Sequence, residues 1–209
     1  MTQSDRRGAI GAMIAIGAAA TASGADAAMR DKGDSTARQL DELVSRTQIT
    51  EVLLDYARAN DRFDEQLLRS CFWPESTHKH GRFEGLSSDF AGFALKVLAS
   101  IKYACHHITN ISVTVDGDRA VTECYYNAHH RRVRKEGDGE EDAFFVGRYL
   151  DIFERRHGVW KIIRRRGLSD YSPPPIPAAT LYADWPAGQH SLRAPDDEYY
   201  AMVANFRRP

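Results

Sequence analysis

Cysteine is scarce. Cys71, Cys105 and Cys124 are the only three in the chain, none forms a C-x-x-C pair, and bridging two would leave one over. The sequence therefore supports neither a disulfide framework nor a zinc site. An excess of either charge is also missing: 28 Lys and Arg face 29 Asp and Glu, for a formal net charge of −1 and a pI near 6.7. That balance gives no electrostatic basis for binding nucleic acid, which needs a basic face to neutralise phosphates. The run Arg164-Arg165-Arg166 and the cluster His129 to Lys135 are accordingly read as solvated strand ends. Long hydrophobic runs are lacking too, since the apolar stretch Gly8 to Ala20 is too short for a comfortable membrane span. At 209 residues, the length suits one domain with extensions better than two compact domains.

The first 34 residues read as an export signal and linker. Arg6-Arg7 precede that Gly/Ala-rich apolar run, and Ala25-Asp26-Ala27 follow as an A-x-A site, which is the layout of a twin-arginine precursor cut after Ala27. This route carries folded proteins and points to the periplasm or the exterior. An uncleaved leader on a cytoplasmic protein is the alternative.

From Ser35 the pattern is helical. A short helix carries Leu40, Leu43 and Val44, and Ser45 with Gln48 resembles a capping box that opens a second one. Along the second, Ile49, Val52, Leu53, Tyr56 and Asn60 recur at helical spacing and form a buried stripe. Asp61 ends the stripe, at the dipole end that disfavours a carboxylate. A short helix follows over 64–71, then a strand over 77–83 with His78 and His80. Another amphipathic helix covers 87–103, with Ser87 or Ser88 as cap. The period then changes to two. Strands over 106–115 and 119–134 join at Asp116-Gly117, and strands over 144–156 and 159–169 join at His157-Gly158. Gly147 within a strand suggests a bulge. Helices followed by a meander of long strands give an α+β class with a curved sheet wrapped over the helices. The domain spans 35–172. The Pro-rich extension 173–209 bears Tyr182, Trp185, Tyr199, Tyr200 and Phe206, too much apolar surface to leave in water, so it should pack on its own domain or on a neighbouring subunit.

Four weak motifs occur in order: Tyr56-x4-Asp61; Phe72-x-Pro74-Glu75; His106-x-x-Thr109-Asn110 leading to Val115-Asp116-Gly117-Asp118; and Phe153-Glu154-Arg155-Arg156-x-Gly158-Val159-Trp160-Lys161. Together they resemble the SnoaL-like branch of the nuclear transport factor 2 superfamily over about residues 40–172. The resemblance implies a cone-shaped α+β barrel with a deep pocket, assembled as homodimers or homotrimers. Two enzyme types of that superfamily, scytalone dehydratase and hexachlorocyclohexane dehydrochlorinase, set an Asp against a His in the pocket and pull a proton from carbon. On the match these fall on Asp61 and His106. The dehydrochlorinase's arginine near the end of the last strand meets Leu168 or Ser169 here, so halide elimination is poorly supported.

A neutral imidazole accepts a proton near neutral pH, and a carboxylate on its other nitrogen fixes the tautomer and stabilises the imidazolium formed. The expected activity is thus a cofactor-free lyase, above all a carbon–oxygen lyase such as a dehydratase, acting on a small aromatic or hydrophobic metabolite. Isomerisation or aldol-type cleavage of a phenolic compound with loss of formaldehyde would use the same base. A non-catalytic binding or assembly module is the reading from another class, with the Asp–His contact merely structural. By alternation from His106, the pocket should also expose Tyr126, His130, Phe145 and Tyr149, with Tyr56 and His78 as further substrate contacts. His107 should face away together with Thr109 and Ile111. Cys105, next to His106, should face away from it too. His78, His80, His106 and His130 lack a carboxylate at fixed spacing beside them, so no metal is expected.

Overall fold

The structure, a computed structural model, describes residues 35–186 and 188–206; the expected export signal lies outside them. Helix α1 is continuous over 35–61, where two helices were expected. Ser45 is no cap: it is buried, and its Oγ accepts a hydrogen bond from Arg155 Nη1 at 3.3 Å. In the stretch 35–44 Leu40, Leu43 and Val44 are exposed. From Ser45 onward the stripe is as the spacing requires, with Ile49, Leu53, Tyr56 and Asn60 all buried. The helix ends in two bonds, Phe63 N–H to the Asn60 carbonyl (3.4 Å) and Asp64 N–H to the Ala59 carbonyl (2.9 Å), with Phe63 at φ 58°. This is a Schellman ending with a phenylalanine in the left-handed position that glycine usually takes. Asp61 thereby occupies the last helical residue.

Asp64 then caps α2 (Glu65–Ser70) by accepting from Leu67 N–H. Strands β1 (Phe72–His80) and β2 (Phe83–Leu86) lead to α3 (Ser87–Leu98), whose N-cap is Leu86 without a side-chain bond. The helix ends five residues before the expected Tyr103, and β3 runs from Ile101 to Asp116. Ile101 continues the apolar spacing of α3, which hid the change of period, yet Ile101 and Ala104 are buried while Lys102 is exposed.

Strands β4 (Arg119–Val133), β5 (Glu140–Arg156) and β6 (Val159–Tyr171) complete the meander, and β7 (Ile176–Pro177) adds to β5. Among the described residues the sheet has seven strands, six along the path β2-β1-β6-β5-β4-β3 and β7 beside β5; it does not close on itself, and β1 with β6 is its one parallel pair. The inner face packs Phe72, Cys124, Tyr126, Tyr149, Phe153, Trp160 and Ile162 against the α1 stripe and α3. This is the α+β cone that the order of elements implied.

Bulges set which residues face inward. In β3 the register with β4 shifts between Thr109 and Ser112, and Asn110 has φ 49°. The parity flips there, so Ile111 packs against the core instead of facing away beside Thr109. In β6 the register with β5 shifts beside Ile163, so inward positions pass from Trp160 and Ile162 to Arg165 and Gly167. Arg165 is therefore no solvated strand end. Its side chain and that of Asp151 are 0% exposed, joined by two bonds of 2.7 and 2.6 Å. Arg164 and Arg166 remain exposed.

Gly147 sits where β5 and β6 shift register. A Cβ there would lie 2.0 Å from the Leu168 carbonyl oxygen and 2.5 Å from Tyr126 Oη. Gly147→Ala must push the strands apart and displace the Tyr126 ring. A loss of about 1–3 kcal/mol in denaturant unfolding is expected.

Candidate active site

Asp61 and His106 come from elements 45 residues apart and meet in the cone. Asp61 Oδ1 lies 2.6 Å from His106 Nδ1, and Asp61 Oδ2 accepts the His106 backbone N–H at 2.9 Å. Both side chains are nearly enclosed, at 10% and 11% exposure. The carboxylate faces the unfavourable end of the α1 dipole, and these two donors compensate for that position. A carboxylate oxygen accepts, so Nδ1 is the donor in this contact, and in the neutral imidazole that arrangement leaves Nε2 as the acceptor. His106 lines a cavity of about 290 Å³, a size at the lower end of small-molecule sites.

Tyr126, His130, Phe145 and Tyr149 line the same cavity, as alternation from His106 required. The His130 ring lies 5.4 Å from that of His106 and 5.1 Å from Phe145. Its Nε2 is buried without a partner among the described residues, and burial, reinforced by His106, pushes its pKa down to about 3. Tyr126 stacks on Tyr149 at 4.6 Å, and its hydroxyl donates to the Leu168 carbonyl at 3.2 Å. Burial raises the pKa of both phenols. Neither is a ready proton source.

Tyr56 and His78 do not reach the cavity wall. Tyr56 is buried edge-on to Phe72 and Tyr149, with the Arg165 guanidinium 3.9 Å from its ring centre. His78 is buried face to face with Phe90, ring centres 3.5 Å apart, and neither ring nitrogen has a hydrogen-bond partner among the described residues. Burial, with Arg165 nearby, holds its pKa at about 2. Core packing takes up the surfaces that sequence reasoning offered to a substrate. The layer beneath the cavity is instead organised by Arg165, whose guanidinium also lies 4.4 Å from the Tyr149 ring. Burial works against that charge, but Asp151, with Tyr56 and Tyr149, holds the pKa above its ordinary value.

His80, Arg132 and Ser169 are wall residues that the sequence reading did not assign to substrate. The His80 ring passes over Gly167, where a Cβ would stand 2.7 Å from it. Burial, then Arg165 and His106, push its pKa down to about 4. The spacing of His78 and His80 puts both on one strand face; that only the second reaches the cavity, with His78 packed deeper against Phe90, is not readable from it. Arg132 is tied to Glu141 by a 2.8 Å bond. On the outer face, Cys105 Sγ lies 3.8 Å from His107 Nε2. No group of three or more His, Cys, Asp or Glu among the described residues is placed to hold a metal ion.

An open α+β cone with a histidine on its cavity wall, held from behind by an aspartate, defines the class. The SnoaL-like domain model matches residues 41–166, and the chain belongs to that family. Uncharacterized proteins of Mycobacterium tuberculosis and Mycobacterium bovis are 30% identical to it over 131 residues, covering 59% of this chain and 84% of each relative. Among solved structures, a hexachlorocyclohexane dehydrochlorinase, LinA type 2, superimposes with a TM-score of 0.60 at 25% identity, covering 72% of this chain and 99% of that one. LinA type 3 of Novosphingobium barchaimii gives 0.60 at 23% identity over 69% and 97%. A scytalone dehydratase-like protein of Novosphingobium aromaticivorans gives 0.58 at 20% identity over 73% and 99%. Likeness at the two lower identities concerns the fold alone.

Proposed function

We propose that the chain is a cofactor-free lyase that eliminates water or another small group from a small aromatic or hydrophobic metabolite. The observation that carries this reading is the doubly held Asp61 carboxylate on His106 Nδ1, which leaves Nε2 as the acceptor at a cavity wall. His106 Nε2 takes a proton from carbon, the C–H electrons form the double bond, and the C–O bond breaks. The imidazolium returns the proton to the departing oxygen, so water leaves and His106 is neutral again. Asp61 stabilises the imidazolium in between. The His80 and His130 imidazoles stay neutral beside the charge that develops, and they offer polar atoms to a substrate oxygen without repelling it. Phe145, Tyr126 and Tyr149 supply the flat apolar surface.

Isomerisation or aldol-type cleavage would begin with the same proton abstraction. A panel of phenolic and benzylic alcohols, β-hydroxy carbonyl compounds among them, separates the outcomes. Elimination yields a conjugated product seen by absorbance, and cleavage yields formaldehyde. If no member of the panel is consumed or isomerised, the lyase reading fails and a binding module takes its place.

A further inference from the structure

The C-terminal extension beyond β7 crosses back to the turn that carries Asp61. The SnoaL-like match ends at residue 166, so the extension that makes these contacts lies outside the matched segment. The Schellman ending of α1 leaves the Arg62 carbonyl without a helical partner, and Ala194 N–H donates to it at 2.7 Å. The left-handed Phe63 is covered by the Arg193 guanidinium, 4.5 Å from its ring centre. The same guanidinium donates to the Ile101 carbonyl at 3.0 Å, at the start of the strand that bears His106. Farther along, Asp197 pairs with Arg62 at 3.9 Å, and the Tyr200 hydroxyl donates to Asp64 at 2.9 Å. Tyr182, Leu192 and Arg193 close a cavity of about 30 Å³ whose wall includes Asp61 itself, room for about one water.

We propose that the segment from Leu192 to Tyr200 is a positioning strap for the dyad, with Arg193 as its positioning residue. It fixes the α1 ending against the start of β3 and so holds the Asp61 carboxylate on His106 Nδ1, while its cover keeps bulk water from the rear of the carboxylate. The non-glycine left-handed turn supplies the physical need. Phe63 at φ 58° holds a left-handed conformation that a side chain disfavours, and without the strap the turn would relax and shift Asp61. The proposal rests on the dyad reading, but its test requires no substrate.

In protein labelled with ¹⁵N at imidazole, the His106 Nδ1–H resonance, assigned by its loss in His106→Gln, should be far downfield and protected from water. Arg193→Ala should speed its exchange with water about tenfold while the chain still melts cooperatively. Arg193→Lys should restore part of the protection, since an ammonium can still donate to the Ile101 carbonyl. The double variant Asp197→Asn/Tyr200→Phe loosens the far end of the strap and should also speed exchange; it decides the matter if Arg193→Ala does not fold. Unchanged exchange in the folded strap variants would overturn the proposal. Failure of the alcohol panel would count against the lyase and leave this result standing.

Discussion

If the chain is the proposed lyase, Asp61→Asn should lower turnover by about 10²–10⁴-fold, and His106→Asn should do so to a similar extent. The two arise from different defects. His106→Asn removes the acceptor. Asp61→Asn keeps a side chain of the same shape against His106, but its amide can donate to Nδ1 and drive the imidazole proton onto Nε2, the atom that must be free. It also removes the negative charge that stabilises the imidazolium. Residues that act as one unit are not additive, so the double variant should be hardly slower than either single one. A purely structural Asp–His bond predicts another pattern, in which thermal stability falls and any turnover follows the folded fraction. Steady-state rates beside melting curves on the same preparations separate the two.

Acidification from pH 7 to pH 5 should lower the stability of the domain by roughly 6 kcal/mol. The cause is three imidazoles, the buried His78 and the half-buried His80 and His130, with folded pKa values near 2, 4 and 3, each depressed first by loss of water around it. In the unfolded chain they titrate near 6.5. Below that value the unfolded state binds protons that the folded state refuses, so stability is present above pH ~6.5 and is lost as the pH falls toward the folded values. At pH 5 each histidine contributes about 2 kcal/mol of this loss. That total is a large share of the ordinary stability of a domain, about 5–15 kcal/mol. His78 has no hydrogen-bond partner to lose, so His78→Leu should move the acid midpoint downward. Circular dichroism against pH for parent and variant checks both statements. An acid midpoint that stays fixed in His78→Leu would show that His78 does not contribute.

The fold was legible because it rests on periodicity: the α1 stripe, the hairpin at Asp116-Gly117 and the alternation along β4 and β5 each follow from one repeating choice of apolar side chain. The meeting of Asp61 and His106 was legible only through the resemblance. Nothing local explains a carboxylate at the end of α1, since both donors that stabilise it come from β3. What escaped was wherever parity breaks. The shift beside Ile163 turned an expected surface Arg165 into a buried cation, and the one at Asn110 returned Ile111 to the core. A bulge costs one residue and leaves no mark in composition, so an alternating pattern read across it assigns the wrong face. Tyr56 and His78 escaped for another reason. Inward-facing does not mean cavity-facing in a cone, and both lie a layer too deep, against Arg165 and Phe90.

The central claim is that His106, held by Asp61, removes a proton from carbon. The most direct measurement is NMR detection of deuterium wash-in from D₂O at the carbon beside the carbonyl of aryl ketones that fit the cavity. It reports proton abstraction whether or not a leaving group departs. The account predicts wash-in with the parent and its near abolition in both His106→Asn and Asp61→Asn. Wash-in that proceeds at the parent rate in folded His106→Asn would contradict it.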